Sequence, residues 1–322
     1  MVDVKNKRLM VLAGSHYPEL ADKIAAKLGI KVSNSQFQRF ANGEIKFQLD
    51  ESVRGADVFI FQAHNGSVAE AIVEQAVLID AAKRASAAHI TAVCPFFGYA
   101  RQDRKSKGRE PITARLVVDI LSVAGANRIV SVDLHSGQIQ GFLNGPFDHL
   151  IALPAIARHI KKRFGSDCVM VSPDAGRVKL TERYASRLGV DIAIVHKRRV
   201  KNNQAEALDV IGDIKGKHCV INDDMIDTAG TICVAAEMLK KKGAKSVSVV
   251  ATHGLFSGPA IDRIIKSDID YLAITDTLPI PDDLLKSSKV EVISVVDLIA
   301  DAIKAIFEDG SVSALFDGEN QT

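Results

Sequence analysis

Eight short runs rich in β-branched residues recur along the chain, at 9–13, 58–62, 90–94, 129–133, 169–172, 192–195, 218–221 and 247–252, with helical patterns between them. Such alternation confines the fold to α/β architecture with mainly parallel sheets, because parallel neighbours need a crossover helix. In 18–28, for example, Leu20, Ile24 and Leu28 share one helical face and Gly29 supplies the stop. With 322 residues, 47% of them hydrophobic, the chain has material for two domains.

The spacing from Thr113 to Gly125, Ala126 and His135 returns from Thr231 to Gly243, Ala244 and His253, with a helix pattern and then a strand pattern in each stretch. This recurrence predicts a duplicated α/β domain. Gly145, Pro146 and Pro154 interrupt the pattern, which places one domain at 1–150, a second at 151–305 and a tail at 306–322.

The 41 basic and 39 acidic side chains leave a net charge of only +2, which excludes a general pull towards nucleic acid. Basic residues gather locally instead, at 101–109 and 197–201, as suits a compact anionic ligand. Cys94, Cys168, Cys219 and Cys233 show no CxxC spacing and lie in or beside apolar segments, so they read as reduced core residues, not disulfides or a zinc site. A strand pattern begins at Leu9 without a signal-peptide core, and no apolar run is long enough to span a bilayer. The expectation is a cytoplasmic enzyme without a membrane partner.

The segment 220–231, VINDDMIDTAGT, carries the most chemistry. An apolar strand runs into Asp223 and Asp224 and then into a Thr-Ala-Gly-Thr turn that opens a helix. Thr228 and Thr231 offer hydroxyls, Ala229 and Gly230 allow close backbone approach, and the free N–H groups of a helix start attract an anion. The carboxylates can accept hydrogen bonds from sugar hydroxyls. Together these features outline a sugar-phosphate cradle, where the bland reading is an ordinary Thr N-cap.

Other strand ends add to it, since ligands of open α/β sheets bind at the carboxyl ends of strands. The stretch 95–109, PFFGYARQDRKSKGR, mixes aromatics with guanidiniums and suits a base and a polyphosphate. Asp133-Leu134-His135 closes a strand with an imidazole beside a carboxylate, and Ser172-Pro173-Asp174-Ala175-Gly176 forms a second candidate anion loop. Lys197-Arg198-Arg199 reads as a basic hairpin or flap able to close over phosphates. Carboxylates and one imidazole, without a thiolate cluster, favour Mg²⁺ over a softer metal.

At this point the chain resembles the class I ribose-phosphate pyrophosphokinases, over nearly its whole length: RFANGE at 39–44, GYARQDR, DLHSGQIQGF, VSPDAG, KRR, DDMIDTAGT and the late SVSALF. The resemblance implies two phosphoribosyltransferase-like domains and transfer of the β,γ-diphosphoryl group of ATP to the 1-hydroxyl of ribose 5-phosphate. By motif position it assigns Asp223, Asp224, Asp227, Thr228, Ala229, Gly230 and Thr231, with Arg199, to ribose 5-phosphate, and His135 and Asp174 to Mg²⁺. Arg101 and Gln102 would contact ATP, joined by Phe40, Asn42, Gly43 and Glu44 from a neighbouring subunit. Lys197 and Arg199 would act on the transferring group. Ser52, Arg54, Ser311, Ser313 and Phe316 match positions linked to regulation by phosphate and ADP, and the assembly would be a hexamer built of dimers.

The chain departs from the commoner strings at Asn42, His64-Asn65-Gly66, Ala229, 200–203 and Arg177, where a second glycine is usual. Two alternatives stand beside the main reading. A phosphoribosyltransferase would need one such domain and neither GYARQDR nor KRR; a catalytically silent regulatory subunit would keep the fold but lose the chemistry.

Overall fold

The computed structural model describes residues 7–199 and 206–316, with the backbone alone described at 197–199 and 206–208. It divides into two compact units, 1–151 together with 295–322, and 152–294.

In the first unit, strands β1 (Leu9–Ala13), β4 (Asp57–Phe61), β5 (His89–Cys94), β6 (Arg128–Val132) and β7 (Phe147–Leu150) form a parallel sheet in that order. Helices α1 (Pro18–Lys27), α2 (Val68–Arg84) and α3 (Thr113–Ala124) connect them. In β4, Val58, Phe59, Ile60 and Phe61 are all buried, as expected of a parallel strand covered on both faces. Helix α3 meets this core with Ala114, Val117, Val118 and Leu121, one stripe at helical spacing. A hairpin, β2 (Ser35–Arg39) and β3 (Ile45–Leu49), stands apart from the sheet with Phe37 opposite Phe47. Arg39 ties it to α2 through ion pairs with Glu70 and, at 3.6 Å, Glu74.

The second unit holds α4 (Leu153–Phe164), β8 (Cys168–Ser172), α5 (Val178–Leu188), β9 (Ile192–Arg199), β10 (Glu206–Ile211), β11 (His218–Ile226), α6 (Gly230–Lys241), β12 (Ser246–Gly254), α7 (Ala260–Lys266), β13 (Tyr271–Thr275), α8 (Asp282–Leu285) and β14 (Val290–Ile293). Its sheet runs β10-β9-β8-β11-β12-β13-β14, antiparallel only at β10. The final helix α9 (Val296–Phe307) belongs to the first unit, where it packs on α1. That corrects the expected second domain of 151–305. The apolar stripe of α9, Ile299, Ala300, Ala302 and Ile303, is buried there, so the tail begins only after the chain has returned.

The duplication is present, in a different register from the one the sequence suggested. Strand order pairs β1, β4, β5, β6 and β7 with β8, β11, β12, β13 and β14. Each unit also inserts an antiparallel hairpin before its β4 or β11. On that pairing β12 corresponds to β5, not to β6. The recurring spacing instead reflects one local device used twice: Gly125 and Gly243 end their helices at positive φ, and the N–H groups of Ala126 and Ala244 close back onto Leu121 and Leu239 carbonyls.

Candidate active site

Strand β11 does not stop at Ile221. It continues to Ile226, with Asp223 opposite Ala251 and Met225 opposite His253, so the acid pair lies in the strand and not after it. Beyond it, Ala229 takes a left-handed conformation (φ 59°, ψ 6°) at the N-cap of α6, with no side-chain cap bond. The Thr N-cap alternative is therefore absent, and no capping side chain competes for the first-turn N–H groups. The loop is pinned from the β12 side, where Leu255 and Phe256 N–H groups donate to the Ile226 carbonyl and Ser257 N–H to that of Asp227. Thr228 and Thr231 are exposed, Asp227 and Gly230 half-buried and Ala229 buried. Asp227–Thr231 thus follow directly on the strand that carries Asp223 and Asp224.

Asp174 Oδ1 accepts from the N–H groups of Gly176 and Arg177 at 2.7 and 3.1 Å, which turns the chain into α5. That turn delivers Arg177 to the acid pair: Nε lies 3.2 Å from Asp223 Oδ1 and Nη2 lies 2.6 Å from Asp224 Oδ1. The departure from glycine is thus a guanidinium spanning the two carboxylates expected to hold sugar hydroxyls. Burial and the adjacent Asp224 push the Asp223 carboxyl up to about 8, against the pull of Arg177. A carboxyl whose folded pKa is raised from 3.8 stabilises the fold fully below the unfolded value and loses that contribution as pH rises through about 8. Asp223→Asn stays neutral throughout, so its melting temperature relative to the parent chain should climb between about pH 5 and about pH 9. A difference that stays flat across that range contradicts the assignment.

On the first unit, the stretch after β5 needs one correction. Phe96 and Phe97 are buried, Phe97 lying 5.7 Å from the His64 ring and 5.8 Å from that of Phe147. These aromatics are core, not a grip for a base. Their burial fixes the turn that follows. Gly98 approaches so closely that a Cβ would meet Val68 at 2.7 Å and His64 at 2.9 Å, and Tyr99 takes positive φ. Arg101 and Gln102 then stand exposed, with Gln102 Oε1 accepting from the Thr113 hydroxyl at 2.6 Å.

His64, marked in the sequence only as a departure from the commoner string, anchors this turn. It accepts from Gly98 N–H through Nδ1 at 3.0 Å and meets Gln75 Oε1 through Nε2 at 2.9 Å. Burial drives its pKa down to about 4, which keeps Nδ1 a neutral acceptor. Such a role has no short motif to reveal it.

Phe40, Asn42, Gly43 and Glu44 all lie on the exposed tip of the β2–β3 hairpin. Glu44 N–H bonds to Asn42 Oδ1 and Gly43 N–H to the Phe40 carbonyl. Phe40 is 54% exposed, an apolar ring held out on a tethered arm. Lys197 and Arg199 extend strand β9 and pair in register with Leu208 and Glu206 of β10, which gives the expected hairpin backbone. Their side chains, and residues 200–203, lie outside the described residues.

His135 follows β6, half-buried, in the first unit, and Asp174 follows β8 in the second. Among the described residues no group of three or more His, Cys, Asp or Glu could hold a metal ion. His253, the counterpart of His135 in the sequence repeat, is buried against the Thr277 hydroxyl at 2.9 Å and is a core residue.

Ser52 and Arg54 line a basic pocket of about 610 Å³ with Lys7, Arg8 and Gly55. Ser311 and Ser313 lie at the C-terminal turn, and Phe316 is buried. The cysteines are free, with Cys94, Cys168 and Cys219 buried and Cys233 half-buried. Among the described residues no helix is long and apolar enough to cross a membrane.

Fold and site together define a two-unit α/β protein with a candidate anion loop at the end of a parallel strand. Residues 9–125 match the family model described as the N-terminal domain of ribose phosphate pyrophosphokinase, and residues 198–317 match the phosphoribosyl synthetase-associated domain. A ribose-phosphate pyrophosphokinase of Streptomyces avermitilis is 51% identical over 97% of this chain and 97% of its own. One from Bifidobacterium longum is 51% identical over 97% and 93%. The crystal structure of phosphoribosylpyrophosphate synthetase from Mycobacterium smegmatis superposes with a TM-score of 0.89 at 47% identity, covering 94% of this chain and 100% of that one. The chain belongs to the ribose-phosphate pyrophosphokinase family.

Proposed function

We propose that the chain transfers the β,γ-diphosphoryl group of ATP to the 1-hydroxyl of ribose 5-phosphate, giving 5-phosphoribosyl 1-diphosphate and AMP. What supports this reading is the Asp227–Thr231 turn following the acid pair of β11 on one unit, and an exposed basic loop at Arg101 on the other. A transferase that only consumed the diphosphorylated sugar would need the cradle alone.

The 5-phosphate sits on the N–H groups and hydroxyls of 227–231. Asp223 and Asp224 receive the ring hydroxyls, for which Arg177 has to release them. Arg101 and Gln102 hold the polyphosphate, and the Phe40–Glu44 hairpin tip reaches the nucleotide of a neighbouring subunit. Lys197 and Arg199 neutralise charge that develops on the transferring group, where catalysis is positioning plus electrostatics and needs no protein nucleophile. His135 and Asp174 would each contribute to holding Mg²⁺, which would supply positive charge to offset that of the phosphates. The assembly is a hexamer of dimers. Phosphate and ADP act at the basic pocket of Ser52 and Arg54 with Ser311, Ser313 and Phe316, and the enzyme works in the cytoplasm.

Arg177 on the acid pair favours one second reading, a silent subunit whose cradle is closed. Incubation with ATP, Mg²⁺ and ribose 5-phosphate separates the two. AMP should form only when the sugar is present; its absence overturns the enzyme reading.

A further inference from the structure

The cradle is held by three successive carbonyls, and the third tether is a side chain. The Ile226 and Asp227 carbonyls accept backbone N–H groups from residues 255–257. The Thr228 carbonyl accepts Nη1 of Arg263, on α7, at 2.9 Å. Every peptide bond here is trans, so each carbonyl points opposite to the N–H of the same peptide plane. Drawing these carbonyls towards the β12–α7 side therefore turns the N–H groups of Asp227, Thr228 and Ala229 the other way. Successive N–H groups turned to one side form an anion-binding nest.

The third peptide is the one most in need of a tether. Ala229 stands at φ 59°, a left-handed conformation that is strained for a non-glycine residue. A freely rotating Thr228–Ala229 peptide would relax that strain and turn the Ala229 N–H away from the anion. We infer that Arg263 is a positioning residue for ribose 5-phosphate: its guanidinium holds the Thr228–Ala229 peptide plane so that the Ala229 N–H faces the 5-phosphate. Arg263 does this from outside the cradle, by way of a carbonyl, and a charged donor makes a stronger bond to it than a neutral one. The inference rests on the functional reading above, which assigns the loop to the sugar phosphate.

Because the 5-phosphate is remote from the reacting 1-position, loss of this tether weakens substrate and transition state alike and appears in KM. Arg263→Met should raise the KM for ribose 5-phosphate about tenfold, as expected for a lost charge-assisted bond, and leave kcat and the KM for ATP within about twofold. Arg263→Lys, which keeps a charged donor, should recover part of that loss. Arg263 is exposed, so both variants should melt with the parent chain; a general structural role would instead lower stability and move both KM values together. An unchanged KM for ribose 5-phosphate in Arg263→Met, or no recovery with lysine, overturns the inference while the parent chain's own turnover leaves the functional reading intact. A parent chain that makes no AMP overturns both.

Discussion

Replacing Lys197 by alanine should lower kcat for AMP formation by about 10³-fold or more while leaving both KM values within a few fold. Phosphoryl-group transfer leaves a protein little covalent work, so a cation acting only on the transition state shows its whole effect in kcat. Lys197 lies on the β9–β10 hairpin, in register with Leu208 at the edge of the second sheet. Steady-state kinetics on Lys197→Ala decides the matter. A loss smaller than about tenfold would move the catalytic charge elsewhere, with Arg199 the next candidate.

Arg177→Ala should destabilise the protein by about 2–3 kcal/mol, below the full cost of stripping a deeply buried ion pair because the site is partly open. Asp224 is only 6% exposed and Asp223 16%, and Asp223 is already held protonated below about pH 8, so deleting the guanidinium leaves the remaining negative charge of the acid pair without its main counter-charge. Adding Asp224→Asn to Arg177→Ala removes the carboxylate left without its guanidinium and should recover most of the loss. The double variant would then be more stable than the Arg177 single variant in urea unfolding. Additive destabilisation would contradict the coupling, since residues sharing one charge network do not act independently.

Much of the scaffold could be read from residue types. The strands at 9–13, 90–94 and 169–172 are buried on both faces, so their residues form continuous β-branched runs that no surface segment imitates. The β2–β3 hairpin was invisible for the opposite reason. Its half-buried positions alternate with exposed Gln36, Gln38, Lys46 and Gln48, and no compact apolar run remains. The end of β11 was misjudged because paired carboxylates look like the close of a strand, whereas pairing with β12 carries the ladder on to Ile226.

The site was legible where its chemistry is local and obscure where it is tertiary. The Thr228–Thr231 turn points to an anion loop only together with the apolar run and the paired carboxylates that precede it. Phe96 and Phe97 have the residue type of a base-binding platform, and only packing against His64 and Phe147 shows them to be core. Likewise, nothing near Arg177 in the sequence says that it reaches Asp223 and Asp224, because β11 is brought beside the start of α5 by the sheet order. The repeat was misregistered since helix stops at Gly125 and Gly243 share a local solution while the strands that follow them hold different places in their sheets.

The most direct test of the central claim follows the β-phosphorus of ATP. With ATP labelled at that atom, ribose 5-phosphate and Mg²⁺, the label should leave the nucleotide entirely and appear in a sugar diphosphate, in amounts equal to the AMP released. Label retained in ADP would show transfer of a single phosphoryl group and contradict the account.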